Sequence, residues 1–172
     1  MYKAYKVRLY PNQSQSQLID KTIGCVRFIY NTMLNERITV YNELKDDNDK
    51  LYTYIYKTEK DYKVEFEWLK EVSSRALQQS HRHLEQAFQN WYKGLKKGNK
   101  KGFPKFKSRK KSKMSYTEPQ IDYKGKQPNA IEIIDNKIKL NKLHWVTFRG
   151  LNNFEGKIVN VTVSKYDLFY LY

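Results

Sequence analysis

The sequence predicts an α+β protein: a small antiparallel β-barrel interrupted by an inserted set of helices. Three observations carry this expectation. The opening residues alternate between apolar and basic, two long central stretches repeat apolar residues every three or four positions, and after Lys113 the period returns to two. With strands at both ends and helices between, the two ends of the 172-residue chain are expected to share one sheet. That length suffices to bury one full core or two small ones.

Residues 2–10, YKAYKVRLY, set Ala4 or Tyr5, Val7 and Leu9 among Lys3, Lys6 and Arg8, the pattern of a half-buried strand with a basic outer face, and Pro11 ends it. Pro11 and Asn12 then mark the start of a short helix that Gly24 is expected to close. A second helix, Cys25 to Leu44, carries Val26, Ile29, Tyr30, Met33, Leu34, Ile38, Tyr41 and Leu44 on its apolar side, with Arg27, Asn31, Asn35, Glu36 and Arg37 largely opposite. DDNDK at 46–50 is a polar break, and residues 51–63 fit neither strand nor helix well. EFEWLKEV supplies one apolar turn, Ser73 is a candidate N-cap, and Leu77, Leu84, Phe88, Trp91 and Leu95 predict a helix from Ser74 to about Leu95. Its polar face holds Arg75, Gln78, Gln79, Arg82, His83, Gln86, Gln89 and Asn90, side chains of the types that read purine edges or hold phosphates. Beyond Lys113, period-two runs separated by turn signals at Gly125, Pro128, Asp135-Asn136, Gly150 and Gly156 predict four or five short strands.

Charge is concentrated between Lys93 and Lys113. Lys93, Lys96, Lys97, Lys100, Lys101, Lys105, Lys107, Arg109, Lys110, Lys111 and Lys113 supply eleven of the formal +15, with no Asp or Glu among them, which leaves +4 for the rest of the chain. Trp91, Tyr92, Leu95, Phe103, Pro104 and Phe106 are interleaved with these cations. Such a mixture suits a groove that follows phosphates and stacks bases, with Tyr92, Phe103 and Phe106 as stacking candidates. Lys3, Lys6, Arg8 and Arg82 join the eleven as candidates for RNA or DNA backbone contact. A solvated linker and a membrane-surface patch are the alternatives; Gly94, Gly98, Gly102 and Pro104 work against the amphipathic helix that the latter needs. The 15 tyrosines point the same way as the charge, although an AT-biased genome also produces them.

Several chemistries find no support. The single cysteine, Cys25, lies in an apolar run, so neither a disulfide nor a cysteine zinc site is expected. His81 and His83 stand two apart on a helix, on different faces, and His144 lies in a strand; the acidic residues form no cluster fit to hold two metal ions. No catalytic residue and no metal ligand is assigned. There is no phosphate-binding glycine loop and no nucleophile elbow. No apolar stretch reaches about 18 residues and no signal region opens the chain, so no membrane partner is expected and the expected location is intracellular: cytoplasmic and nucleoid-associated.

YKVRLYPNQSQSQLIDKTIGCVRFIYN, WLKEVSSRALQQ, LKKGNKKGFPKFK, KIKLNKLHWVTFRG and GKIVNVTVSK occur in an order and spacing that resembles the amino-terminal half of TnpB (OrfB). That family comprises the transposon-encoded RNA-guided nucleases related to Cas12-type effectors, and the resemblance covers residues 3 to about 165. It implies a wedge domain, a barrel of the oligonucleotide-binding kind, interrupted by a helical recognition domain often described as helix-turn-helix. The implied division is 1–11 for the first wedge strand, 12–97 for the recognition domain, 98–113 for a basic connector and 114–172 for the remaining wedge.

The resemblance further implies a guide RNA from the transposon end and double-stranded target DNA as partners. Ser74, Arg75, Gln78 and Thr117 become candidates for reading the duplex motif beside the target, with Ser74 standing where some members have Lys and Glu118 where Asn is frequent. Lys96 to Lys113 would follow RNA or heteroduplex backbone, recognised by shape and charge. No cofactor is expected in this chain beyond that guide RNA; magnesium and zinc belong to the carboxyl-terminal nuclease domain and zinc ribbon of the family, which are expected to be missing here. The ending KYDLFYLY departs from the family and favours a frameshifted or decayed element over a deliberate fragment or a split protein. The expected function is therefore nucleic-acid binding without cleavage. The rival expectations are half of a split nuclease completed by a separate catalytic chain, and a DNA-binding repressor.

Overall fold

A computed structural model describes residues 3–98, 102–120, 130–151, 154, 156–165 and 169–171. Among these residues it is α+β, with four α-helices and a seven-stranded antiparallel sheet. The chain forms two compact units. One comprises residues Met1–Gly24, Val72–Ala76 and Lys113–Tyr172, and the other Cys25–Glu71 and Leu77–Ser112.

The sheet unit begins with β1 (Val7–Tyr10), where Val7 and Leu9 are buried and Arg8 and Tyr10 exposed. Alternation is present as the sequence suggests, but the strand is shorter: Ala4 and Tyr5 are both exposed. Strands β2 (Ser115–Pro119), β3 (Glu132–Ile134), β4 (Lys137–Leu140), β5 (His144–Arg149), β6 (Asn160–Lys165) and β7 (Phe169–Leu171) complete a sheet of order β2-β6-β7-β1-β5-β4-β3. β1 pairs with β5 on one side and with β7 on the other, so the two ends of the chain do share a sheet. Ile138, Leu140, Val146, Phe148, Val161 and Val163 fill its inner face.

The strands flanking the ends of this order are tied by one side chain. Gln120, just after β2, donates from Nε2 to the Ile131 carbonyl (2.9 Å) and accepts from the Ile131 N–H at Oε1 (3.0 Å), replacing the ladder that β2 and β3 do not form with each other. The expected turn at Asp135-Asn136 is a two-residue connection with Asp135 at φ 52°. At Gly150, φ is 102°, a backbone conformation that side-chain-bearing residues rarely adopt, so the turn favours glycine although a Cβ would find ordinary room 3.9 Å from the Val7 Cα. The turn signals at Gly125 and Pro128, and the Tyr166–Asp167–Leu168 stretch of the ending, lie outside the described residues.

The expected two helices with a break at Gly24 are one helix, α1 (Gln13–Leu44). Its start is a reciprocal cap: Asn12 Oδ1 accepts from the Gln15 N–H (2.8 Å) and Gln15 Oε1 from the Asn12 N–H (3.0 Å). A mid-helix glycine costs about 1 kcal/mol, and burial of Ile19, Ile23, Val26 and Ile29 on either side outweighs it.

In the helical unit, Val26, Ile29, Tyr30, Met33 and Leu34 are buried as expected, but the stripe then continues through Arg37 and Val40, leaving Tyr41 58% exposed. The Arg37 stem lies within the stripe, its guanidinium over the rings of Phe88 (4.8 Å) and Tyr56 (5.3 Å) and bonded to Glu85. Residues 51–63, ambiguous in sequence, hold the end of α2 (Asn48–Thr53) and the start of α3 (Glu59–Glu65), joined by an extended piece. A 3₁₀ turn (Glu67–Glu71) leads to α4 (Ser74–Lys96), with Ser73 Oγ accepting from the Ala76 N–H (3.4 Å) as the expected N-cap.

Candidate nucleic-acid interface

Residues 102–108 form neither helix nor strand, yet they are fixed to the helical unit. Asn31 of α1 pairs with the whole peptide unit of Lys107: its Nδ2 donates to the Lys107 carbonyl (2.9 Å) and its Oδ1 accepts the Lys107 N–H (2.8 Å). Pro104 is buried, and the Phe103 ring stands edge-on to Trp91 (5.0 Å) and Phe88 (5.5 Å). The Lys107 ammonium sits 4.0 Å over the Tyr30 ring, and burial holds its pKa below the ordinary lysine value. Ser108 and Ser112 close the following turn through Ser108 N–H to Ser112 Oγ (2.9 Å) and Lys111 N–H to Ser108 Oγ (2.9 Å).

This docking sorts the cations. Lys105, Arg109, Lys110 and Lys111 are exposed, as are Lys93, Lys96 and Lys97 at the end of α4 and Arg82 further up the helix. Lys107 is half-buried on its tyrosine, whereas Lys100 and Lys101 lie outside the described residues. Among the stacking candidates, Tyr92 (54% exposed) and Phe106 (53%) present open rings, and Phe103 is partly covered by Trp91 and Phe88. Phe88, 7% exposed, is the buried ring of this aromatic group, while Tyr92 and Phe106 are open to solvent.

In the sheet unit the start of α4 meets β2 and the loop after β4. Glu118 of β2 is 1% exposed; its Oε2 accepts the Asn141 N–H (3.2 Å), and Asn141 Nδ2 donates to Ser73 Oγ (3.2 Å). Burial raises the Glu118 pKa against the opposing pull of the Ser73 hydroxyl, the Asn141 N–H and the Arg75 charge. Glu118 Oε1 and Arg75 Nη1 are buried polar atoms without a hydrogen-bond partner. Arg75 is half-buried and Ser74 exposed. Thr117 emerges on the opposite side of β2 from Glu118, its Oγ1 bonded to Thr162 Oγ1 (2.7 Å). Gln78, half-buried, lies further along α4 in the helical unit. Lys3, Lys6 and Arg8 are exposed at the start of the sheet unit, and Lys113 is exposed just before β2.

His81 bridges two carboxylates, Nδ1 to Glu59 Oε2 (3.1 Å) and Nε2 to Glu85 Oε1 (3.4 Å), and His83 Nε2 meets Gln79 Nε2 (3.1 Å). Among the described residues no group of three or more His, Cys, Asp or Glu is placed to hold a metal ion, and no helix is long and apolar enough to cross a membrane. Cys25 is buried. Sequence reasoning missed Asn31 and the burial of Glu118. Asn31 sits in the polar half of α1, and only a partner 76 residues away distinguishes it from a solvated asparagine.

Comparison with known proteins gives this geometry a family. The profile of the helix-turn-helix domain of OrfB proteins from IS605 elements matches residues 1–46, which here comprise β1 and α1. A protein of Streptomyces pristinaespiralis, named as an RNA-guided DNA endonuclease, is 35% identical over 73% of this chain and 30% of its own length. InsQ of Escherichia coli K12, named likewise, is 30% identical over 95% of this chain and 37% of its own length. Virulence protein VsdF of Salmonella dublin is 33% identical over 62% of this chain and 93% of its own length. The chain thus spans about a third of the first two relatives and nearly all of the third, and it belongs to the TnpB/OrfB family of IS605-type RNA-guided DNA endonuclease homologues.

Proposed function

We propose that this chain binds a guide RNA and the duplex beside its DNA target, and that it does not itself cleave. The observation that carries this reading is the docked basic segment. Its exposed cations, Lys105, Arg109, Lys110 and Lys111, and the open Phe106 ring belong to a segment anchored by Asn31, Pro104 and Phe103, as contact with a phosphate backbone and its bases favours. The names of the two longer relatives supply the class of nucleic acid. Within this reading the sheet is a barrel of the oligonucleotide-binding kind, a closure that the Gln120 clasp supports. Ser74, Arg75, Gln78 and Thr117 are the proposed readers of the duplex motif.

The test is a salt series of binding to RNA transcribed from the end of the chain's own element, beside an unrelated RNA and a DNA duplex. Neutralising Lys105, Arg109, Lys110 and Lys111 to Gln is expected to weaken binding and to flatten the slope of log K against log salt by about 0.7 for each single-strand phosphate that is no longer neutralised. An unchanged slope would refute the placement of the groove. Cleavage by the purified chain with magnesium would refute the absence of catalysis.

A further inference from the structure

The register of the sheet produces a second cationic and aromatic surface. On β1, β4 and β5 the inward residues Val7, Leu9, Ile138, Leu140, Val146 and Phe148 are buried, so their neighbours point outward. Outward residues fall together in pairs: Arg8 opposite Arg149, Tyr10 and Lys137 each opposite Thr147, and Lys139 opposite Trp145. Tyr10 is 40% exposed and Trp145 38%, and both guanidinium groups lie over the Tyr10 ring, Arg8 at 5.1 Å and Arg149 at 5.3 Å. Lys139 lies 6.0 Å from the Trp145 ring. Trp145 is held in place from the backbone: β1 ends before reaching it, and Gln15 Nε2 donates to the Trp145 (2.9 Å) and Leu143 (3.0 Å) carbonyls instead.

Like charges directly opposite in a sheet destabilise it. Arg8 faces Arg149, and two lysines share the same side; among the described residues of these strands and the adjacent β3 one carboxylate opposes them, Glu132 of β3, bonded to Lys139 (3.4 Å). Cation–π contacts with Tyr10 and Trp145 hold these side chains against the face, and a polyanion laid across it would in addition relieve the repulsion. The exposed rings add what phosphate contact alone lacks, a flat surface on which an unpaired base stacks.

We infer that this outer face of the sheet holds an unpaired, single-stranded stretch of RNA, with bases on Tyr10 and Trp145 and phosphates on Arg8, Arg149, Lys137 and Lys139. The inference rests on the RNA-binding reading above and adds to it a site built from residues of the sheet unit.

The test uses the intact chain with a labelled twelve-nucleotide oligouridylate, a twelve-base-pair RNA duplex and polyglutamate as a competitor. Trp145→Leu is expected to weaken single-strand binding about tenfold or more while leaving the duplex unaffected, and Trp145→Phe, which keeps a stacking ring, is expected to stay within about threefold of the parent. Arg149→Gln is expected to weaken oligouridylate binding about threefold or more and to flatten its dependence on salt, a change of slope that a merely structural arginine would not give. Parent-like binding by both Trp145→Leu and Arg149→Gln would overturn the inference, as would displacement by polyglutamate as readily as by RNA. If element RNA still binds in that case, the proposed function stands alone; if no RNA binds the parent, both fall.

Discussion

Replacing Asn31 by Ala isolates the clasp that holds the basic segment. The substitution removes two hydrogen bonds, 2.8 and 2.9 Å long, to the N–H and carbonyl of Lys107. At about 1 kcal/mol each, and with Lys107 only half-buried so that water recovers part of the loss, docking of residues 102–108 weakens by about 1 to 2 kcal/mol. Pro104, the Phe103 edge contacts and the ammonium over Tyr30 remain, so the segment opens more often rather than detaching. Local opening then rises about five- to thirtyfold. Alanine is also the better helix former, by roughly half a kcal/mol, so α1 itself should not weaken. Amide hydrogen exchange on the intact chain separates the two effects: the Lys107 amide should exchange about five- to thirtyfold faster, while global unfolding in urea shifts little. A Lys107 amide exchanging within about twofold of the parent would refute the claim that Asn31 holds the segment.

Two further predictions concern stability. Gly24 lies inside α1, and a Cβ there would meet nothing within 4 Å, so Gly24→Ala should stabilise the protein by about 0.5 to 1 kcal/mol in urea denaturation; a loss of stability would show that the helix depends on the glycine. Glu118 has its pKa raised in the fold, so its contribution is fully present below the unfolded carboxyl value and is lost as pH rises through the folded one. Glu118→Gln should therefore unfold at a higher temperature than the parent at about pH 8, by an amount on the order of 1 kcal/mol, with the advantage disappearing toward about pH 4. Parallel melting curves across that range would refute the burial of a strained carboxyl.

What was legible in the sequence is what depends on local period and on charge count. The alternation of Val7 and Leu9, the helical repeat from Leu77 to Phe88, Ser73 as a cap, and the sharing of one sheet by both ends follow from apolar spacing and turn chemistry. The concentration of cations between Lys93 and Lys113 needs only the order of residues. Where local and tertiary preferences conflict, the sequence misleads. Gly24 reads as a stop, yet burial of Ile19, Ile23, Val26 and Ile29 carries the helix through it, and Arg37 reads as solvated until Phe88, Tyr56 and Glu85 meet it.

The sequence by itself determined an α+β chain with one intensely basic, aromatic stretch, because hydrophobic period and charge are properties of neighbours along the chain. Tertiary structure alone decided which of those cations face solvent, that Asn31 holds the Lys107 peptide, that Glu118 is buried, and that Arg8, Tyr10, Arg149 and Trp145 share one face. Those contacts join residues far apart in the chain, and their existence depends on strand register and on the docking of an irregular segment.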